Sequence, residues 1–419
     1  MVTWKSRWSS VRFVKAATSY RMPPTRSRAM AWEETSMTMI GVTGTNGKTS
    51  VTLLLKQVLD ACLGAKVGLI GTMANQIGDE VIPTERTTPE SFELQSLFAR
   101  MRDAGCSHVV MEVSSHAVTL ERIGGTHFHV AAFTNLTEDH LDFHKTMDAY
   151  CDAKAELFRR CDKAVINADD SYSGRILAAA RCPVLTTSVT GAGDLRAEGL
   201  ELLSEGVSFT ASCGEETAQV HLPIPGKFTV YNVLTVLGIA KQLGIPLADA
   251  AEALKTAQGV KGRVEVVPTP EMPWSVLIDY AHTPDGLENV LSSVKGYCKG
   301  RLIAVFGCGG DRDKGKRPIM GRIGGELADL CILTSDNPRN EDPMDILAAV
   351  EEGIKETDCE YLVIENRREA IRHAMEIGRE GDVIALCGKG HETYQEIKGV
   401  KHDFDEKVVV AELLAGMDD

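Results

Sequence analysis

Cysteine is present in this chain but nowhere organised. Its 11 copies are scattered singly, the count is odd, and no C-x-x-C occurs. That excludes a disulfide framework and a thiolate zinc site, and it points to a reducing compartment, the cytoplasm. Aromatic residues are scarce at 5%. Positive charge is in the minority: 45 Lys and Arg stand against 59 Asp and Glu, a net charge of −14. Such a chain is a poor partner for nucleic acid or an anionic membrane. A polyanionic ligand would need a local site that overrides the global field. No apolar run reaches the ~18 residues of a membrane span. What remains is ample for folding: 419 residues, 43% hydrophobic, imply more than one domain with sizeable cores.

The first 38 residues stand apart. Residues 1–30 carry seven Lys and Arg and no acid, and three of the four tryptophans (Trp4, Trp8, Trp32) fall within the first 32. Neither the 3.6 nor the 2.0 hydrophobic period is sustained there. The segment reads as a disordered or misassembled tail. A transit peptide is the alternative, because it is basic and acid-poor and lacks the apolar stretch of a secretory signal.

From Met39 the pattern becomes regular. Strands are expected at 39–43, 66–71, 108–113, 130–134 and 164–167, with helices at 49–62, 91–103 and 147–159 between them. Strands alternating with helices imply right-handed βαβ units and a parallel sheet. Short alternating segments at 195–203, 207–211 and 218–222 predict a small antiparallel subsheet. Helices follow at 231–243 and 247–258, then a glycine-bracketed basic hinge, GVKGR (259–263). A second αβ series has strands at 275–279, 302–307, 330–334, 361–364 and 383–386. The expected division is an atypical 1–38, a central α/β domain over 39–261 and a Rossmann-like α/β domain over 262–419.

The segment from Gly41 to Thr49, GVTGTNGKT, follows a strand and opens a helix, which is the context of a phosphate loop. Glycines there let backbone N–H groups turn inward around phosphate oxygens, and the helix N-terminus adds its positive end. Lys48 is placed to reach the outer phosphates and Thr49 to ligate Mg²⁺. Glu112 ends a buried strand, and His140 follows another. Hard oxygen donors with an imidazole, all at strand C-termini, suit Mg²⁺ beside a triphosphate. Taken alone, Glu112 would be a helix-capping carboxylate and His140 a satisfied core histidine. Lys154, on an amphipathic helix, would by itself be a solvated lysine.

Several segments now form an ordered set: GVTGTNGKTS (41–50), RTTP (86–89), EVSSHAV (112–118), TNLTEDHLDFH (134–144), CDAKAELF (151–158), GKFTVYN (226–232), GVKGRVE (259–265), DYAHTPD (279–285), FGCGGDRDKGKRP (306–318), DNPRNEDP (336–343) and CGKGHE (387–392). In this order they resemble the Mur ligases, and in detail the MurE type, from Met39 to the C-terminus. The resemblance implies an ATP-dependent amide ligase. It would phosphorylate the carboxylate of UDP-N-acetylmuramoyl-L-alanyl-D-glutamate and pass the acyl group to an incoming amine. It implies ATP on Gly44, Thr45, Asn46, Gly47, Lys48, Thr49 and Ser50, with Asn232 at the adenine and Arg263 and Asp279 also on the nucleotide. It implies Mg²⁺ on Thr49, Glu112 and His140, and on Lys154 as a carbamate, which overturns the solvated reading of that lysine. Thr87, Thr88, Ser114 and Arg122 match contacts to the muramoyl peptide.

The tetrapeptide DNPR resembles the form that selects meso-diaminopimelate. Arg339 can pair bidentately with the distal carboxylate that lysine lacks. Asp336 and Asn337 would assist, Gly388 and Glu392 match contacts to the distal amino-acid centre, and Arg312 is assigned the α-carboxylate, with Arg317 close by in sequence. A lysine-adding ligase is the alternative. Folylpolyglutamate synthetase shares the architecture, but DNPRNEDP and EVSSH speak against it. MurE-type ligases begin with a separate UDP-binding domain. The 38 residues here resemble none of it, so weakened activity or a silent nucleotide-binding remnant is a further expectation. The enzyme is expected to act as a cytoplasmic monomer on small molecules.

Overall fold

The computed structural model describes residues 37–84, 86–191, 193–203, 206–257 and 259–416; the tail reading of the N-terminus falls on residues that, up to 36, lie outside these. A first sheet is built from β1 (Thr38–Thr43), β2 (Val67–Ile70), β3 (Asn75–Ile77), β4 (Glu80–Ile82), β5 (His108–Glu112), β6 (Phe128–Phe133), β7 (Cys161–Asn167), β8 (Val184–Ser188), β9 (Leu195–Leu203), β10 (Gly206–Cys213) and β11 (Glu216–Leu222). Their spatial order is β11-β10-β9-β8-β7-β6-β1-β5-β2-β3-β4. The run from β2 to β9 is parallel, and both edges turn antiparallel.

Strand β1 shows why the sheet is buried on both faces. Ile40 and Val42 are fully buried in the core formed with helices Lys48–Leu63 and Lys227–Gln242. Met39 joins the opposite core, under helices Ser91–Asp103 and Met147–Ala155. The period of two thus sends alternate residues into two hydrophobic layers. Gly41 admits the Phe128 ring: a Cβ there would sit 2.9 Å from it.

A second sheet contains β12 (Glu265–Val267), β13 (Ser275–Asp279), β14 (Leu302–Phe306), β15 (Leu330–Leu333), β16 (Glu360–Val363) and β17 (Val383–Cys387), in the order β12-β13-β17-β14-β15-β16. All pairs are parallel except β12 with β13. A hairpin of β18 (Tyr394–Ile397) and β19 (Val400–Asp403) follows, turned by Lys398 and Gly399 at φ 51° and 75°, the two positive angles that a tight hairpin requires. Among the described residues no helix is long and apolar enough to cross a membrane.

The α/β expectation holds, with adjustments. The expected antiparallel subsheet is present as β9, β10 and β11, and β8, which was not expected, joins it in parallel to the rest of the same sheet. The helix expected over 147–159 stops at Ala155 and tightens into a 3-10 turn, Glu156–Arg159. The helix expected over 247–258 ends at Leu254. The short antiparallel strands β3 and β4 were also missed, being too brief to carry a period.

Glycines fix one helix contact in the second sheet's flank. Helices Lys316–Leu327 and Pro343–Ile354 approach so closely that a Cβ on Gly353 would lie 1.7 Å from the Pro318 carbonyl oxygen, and one on Gly321 would lie 1.9 Å from that of Val350. Gly353→Ala is therefore expected to cost about 2–3 kcal/mol or more, because backbone rather than a flexible side chain must move. Gly174→Ala, on helix Ser173–Ala179 with nothing within 4 Å of its Cβ, serves as the control and should be neutral or stabilising by about 0.5–1 kcal/mol. Urea unfolding of the two variants checks the contrast; equal stabilities would contradict it.

Candidate active site

The loops at the C-terminal ends of β1, β5 and β6 meet where the strand order departs to either side of β1, the place where open α/β sheets bind ligands. After β1 the chain turns through Gly44 (φ 151°) and Gly47 (φ 86°) into helix Lys48–Leu63. The turn is clamped from behind. Asn46 N–H donates to Asn135 Oδ1 at 2.9 Å, and Thr134 Oγ1 donates to the Asn46 carbonyl at 2.6 Å. A Cβ on Gly44 would lie 1.9 Å from Thr134 Oγ1. The half-buried Lys48 folds back over the loop, its Nζ donating to the carbonyls of Gly44 (2.9 Å) and Thr45 (2.7 Å). Burial, reinforced by Arg263, holds its pKa below the lysine range, while Glu112 pulls the other way.

Glu112 is 1% exposed. Its Oε1 accepts from Thr49 Oγ1 (3.0 Å) and Thr72 N–H (2.9 Å), and its Oε2 from Thr72 Oγ1 (3.0 Å). Gly71 leaves room for the carboxylate, since a Cβ there would lie 2.5 Å from Oε1. Lys154, 1% exposed, is the reverse of a solvated lysine. Its Nζ donates to the Gly44 carbonyl at 2.7 Å, the same oxygen that Lys48 uses, and lies 4.5 Å from the centre of the Tyr150 ring. Burial first, and then Lys48, pull its pKa well down. Tyr150 Oη in turn lies 3.2 Å from Thr45 Oγ1.

His140 sits at φ 55°, a strained angle for a non-glycine residue. Its ring pairs with Asp139 at 3.3 Å and stands edge-on to His116 at 4.8 Å between centroids. Among the described residues no three His, Cys, Asp or Glu side chains cluster as a ready cation cage. What the loop offers is the adjacent oxygens of Thr49 and Glu112. That donor set fits Mg²⁺, which commonly takes one or two protein oxygens and completes its shell with water and substrate phosphates.

Thr72 Oγ1 and Thr87 Oγ1 lie 3.0 Å apart, and Thr88 Oγ1 donates to the Glu112 carbonyl (2.8 Å) and accepts from Ser114 N–H (3.1 Å). Arg122 donates to the Thr88 carbonyl at 3.2 Å and pairs with Glu90 at 2.9 Å. These four predicted residues thus form one patch beside Glu112. On the other side of the loop, Asn232 presses on Gly47, where a Cβ would lie 2.3 Å from Asn232 Oδ1. Ser50, Asn232 and Arg263 line one narrow pocket with Phe228 and Val260.

Arg263 stacks over the Tyr280 ring at 5.1 Å. The next residue, Val264, is β-branched at φ 45°, and its N–H donates to Asp279 Oδ2 at 2.8 Å. Glycine is needed at 262, where a Cβ would lie 2.1 Å from the His391 nitrogen, so the hinge nests against the CGKGHE loop.

The second sheet gathers the remaining predicted residues at its C-terminal edge. Arg339, at φ 50°, donates to the Gly310 carbonyl (2.8 Å) and pairs with Glu396 (3.4 Å). Gly309 is the saddle between two arginines: a Cβ there would lie 2.9 Å from Arg339 Nη1 and 3.9 Å from Arg312 Cγ. Arg312 is exposed, whereas Arg317 is 2% exposed and spent on Glu341 (2.8 and 3.1 Å), which leaves Arg312 as the available guanidinium. Asn337 donates to Glu392 Oε2 at 2.8 Å, and Gly388 (φ 121°) lies over Asp336.

Sequence reasoning passed over several residues. Asp285 lies in the DYAHTPD motif. Its Oδ2 accepts from Asn46 Nδ2 (2.6 Å), 239 positions away, and from Thr137 Oγ1 (2.7 Å), so it ties the second sheet's first helix, Pro284–Lys295, to the phosphate loop. Thr72, Tyr150 and Lys389 were also missed. DYAHTPD could have flagged Asp285 and CGKGHE Lys389; nothing local marks Thr72.

Comparison with known proteins follows the same line. Residues 42–240 match the Mur ligase middle domain and residues 262–390 the Mur ligase, glutamate ligase domain. A UDP-N-acetylmuramoyl-L-alanyl-D-glutamate–2,6-diaminopimelate ligase of Caldanaerobacter subterraneus subsp. tengcongensis is 51% identical over 380 residues, 90% of this chain and 78% of that one. Its counterpart in Clostridium botulinum is 50% identical over 377 residues, 90% and 77% of the two chains. Among solved structures, a ligase of the same name superposes with a TM-score of 0.69 at 36% identity, covering 91% of this chain and 79% of that one. A Mycobacterium tuberculosis folylpolyglutamate synthase complexed with ADP shares the fold at a TM-score of 0.66 and 19% identity, over 86% and 90% of the two chains.

Asp279 supplies a pH test of the site. Burial pushes its carboxyl up to about 6, against the opposing pull of Arg263 and of the Val264 and Ala281 N–H groups. With an unfolded value near 3.9, the folded chain holds a proton between about pH 4 and 6 that the unfolded chain has released. The stability from this group is full below about pH 4 and is lost as pH rises through 6, about 3 kcal/mol in all. Asp279→Asn cannot titrate. Its unfolding free energy relative to the parent should therefore rise by about that amount from pH 4 to 7. A difference that stays flat across this range would contradict the assignment.

Proposed function

This chain belongs to the Mur ligase family, and on that footing we propose that it uses ATP to join meso-2,6-diaminopimelate to UDP-N-acetylmuramoyl-L-alanyl-D-glutamate, a step in making peptidoglycan precursors. One observation carries the reading: Asp285 accepts from Asn46 and Thr137, so the first helix of the second sheet is tied directly to the phosphate loop. The relatives' names supply the substrates. The working parts are residues 39–261 for ATP and 262–419 for the amino acid, in a cytoplasmic monomer.

A carboxylate is a poor electrophile, and phosphorylation makes one of its oxygens a good leaving group. In this proposal the γ-phosphoryl group of ATP passes to the glutamate carboxylate of the muramoyl dipeptide. The incoming amine then attacks the acyl carbon, and inorganic phosphate leaves. Lys48 and the N–H groups of Gly44 to Ser50 hold the phosphates and stabilise the charge that gathers on them. Asn232 contacts adenine, and Arg263 and Asp279 hold the rest of the nucleoside. Thr49, Glu112, His140 and Lys154 as its carbamate would hold Mg²⁺, which neutralises phosphate charge when bound. Thr87, Thr88, Ser114 and Arg122 orient the muramoyl peptide.

Selectivity follows from the arginine saddle. Arg339 takes the distal carboxylate of diaminopimelate, Glu392 and Asn337 the distal amino centre beside Gly388 and Asp336, and Arg312 the α-carboxylate. Lysine would leave Arg339 without its partner, which a site of this kind rejects strongly.

The test is phosphate release by the purified 419-residue chain with ATP, Mg²⁺ and the UDP-muramoyl dipeptide, with meso-diaminopimelate and L-lysine in parallel. Release is expected with diaminopimelate alone. Arg339→Ala should lower kcat/KM for diaminopimelate about 10²–10³-fold, the size expected when one partner of a hydrogen-bonded charge pair is removed, with KM for ATP unmoved. Release with neither amine while ATP still binds would overturn the ligase reading. Equal release with both would overturn the selectivity.

A further inference from the structure

Lys389 is fully buried, an expensive place for an ammonium group that the mechanism above does not use. It lies between two glycines at positive φ, Gly388 (121°) and Gly390 (54°). Its Nζ lies 3.1 Å from Asn337 Oδ1, 3.3 Å from Glu392 Oε2 and 3.5 Å from Asp336 Oδ1. Asn337 Nδ2 donates to the same Glu392 oxygen at 2.8 Å, so that carboxylate is held by two donors. Asp336 Oδ1 is buried and accepts no hydrogen bond.

The charges around this lysine do not balance. Arg367 and Glu406 form a fully buried pair at 2.7 Å that acts on Asp336. The Arg339–Glu396 pair alongside is neutral. Among the described residues, the ion pairs within 4 Å give Asp336 and Glu392 a single shared cation, Lys389, while Glu406 pairs with Arg367. An excess negative charge in a buried cluster is costly unless something pairs with it. An ammonium group from outside would close the gap.

We propose that Lys389 is a positioning residue for the incoming amino acid: it locks Asn337 and Glu392 in place and leaves the cluster short of one positive charge, which the distal ammonium of the amine substrate supplies. The proposal rests on the ligase reading above. A lysine that merely stitched two loops together would affect all substrates alike. A positioning lysine acts on one.

The experiment is steady-state phosphate release by the full chain, varying meso-diaminopimelate and ATP separately with the other substrates saturating. Lys389→Met should raise KM for diaminopimelate at least tenfold and leave KM for ATP within twofold. Combining Lys389→Met with Glu392→Gln should cost less than the product of the two single effects, because the residues act as a unit. If Lys389→Met no longer melts cooperatively, Lys389→Gln, which keeps a donor, takes its place with the same expectation. An unchanged KM for diaminopimelate, a fall in kcat alone, or independent effects in the double variant would overturn the role of Lys389. No diaminopimelate-dependent release from the parent chain would overturn the ligase reading, and this proposal with it.

Discussion

Two amines share one carbonyl oxygen. Lys48 and the buried Lys154 both donate to the Gly44 carbonyl, at 2.9 and 2.7 Å, and Glu112 is the buried carboxylate nearby. Burial and mutual repulsion make two ammonium groups costly in this place, and the depressed pKa of Lys154 expresses that cost. The strain can be relieved in two ways that reinforce each other. A polyanion seated on the loop gives Lys48 its counter-charge. In the reading proposed above, carbon dioxide taken up by Lys154 as a carbamate, with two protons released from the ammonium group, would turn a positive neighbour into a negative one with oxygens to offer. The glycines, the Thr134 clamp and the Thr72 cradle under Glu112 are the means by which the chain holds this unbalanced arrangement together.

The rest of the architecture delivers groups to that point. Both sheets place their functional loops at strand C-termini, where parallel strands release backbone and side chains to one edge. The first sheet supplies the phosphate loop, Glu112 and the threonine patch; the second supplies Asp279, the arginine saddle and the Lys389 cluster. Asp285 closes the circuit by bonding to Asn46 and Thr137. Backbone angles unusual for non-glycine residues recur in the same region, at His140, Val264 and Arg339. Such angles cost about 1–3 kcal/mol each and persist where the surroundings over-determine them.

Much of this was legible in the residue order. Helix Ser91–Asp103 and strand Ser275–Asp279 coincide with their expected bounds, because clear periodicity ran up to strong end signals. The α/β class followed from the alternation alone. What escaped was what depends on distant partners. Lys154 reads as a surface lysine until the fold buries it under Gly44. Asp285 gains its meaning from Asn46, 239 positions away. Arg312 and Arg317 cannot be told apart by spacing, and only the buried pairing of Arg317 with Glu341 separates them. Strands β3 and β4 are too short to show a period, and the junction at β8 is a property of the sheet rather than of any segment.

The most direct test of the account is whether Lys154 carries carbon dioxide. The purified chain would be equilibrated with ¹³C-labelled bicarbonate and its carbamate carbon followed by NMR, with Lys154→Met as the reference. The account predicts a protein-bound carbamate signal in the parent chain, absent from the variant, that strengthens when Mg²⁺ and nucleotide are added. A parent chain that releases phosphate with diaminopimelate yet shows no such signal would contradict it.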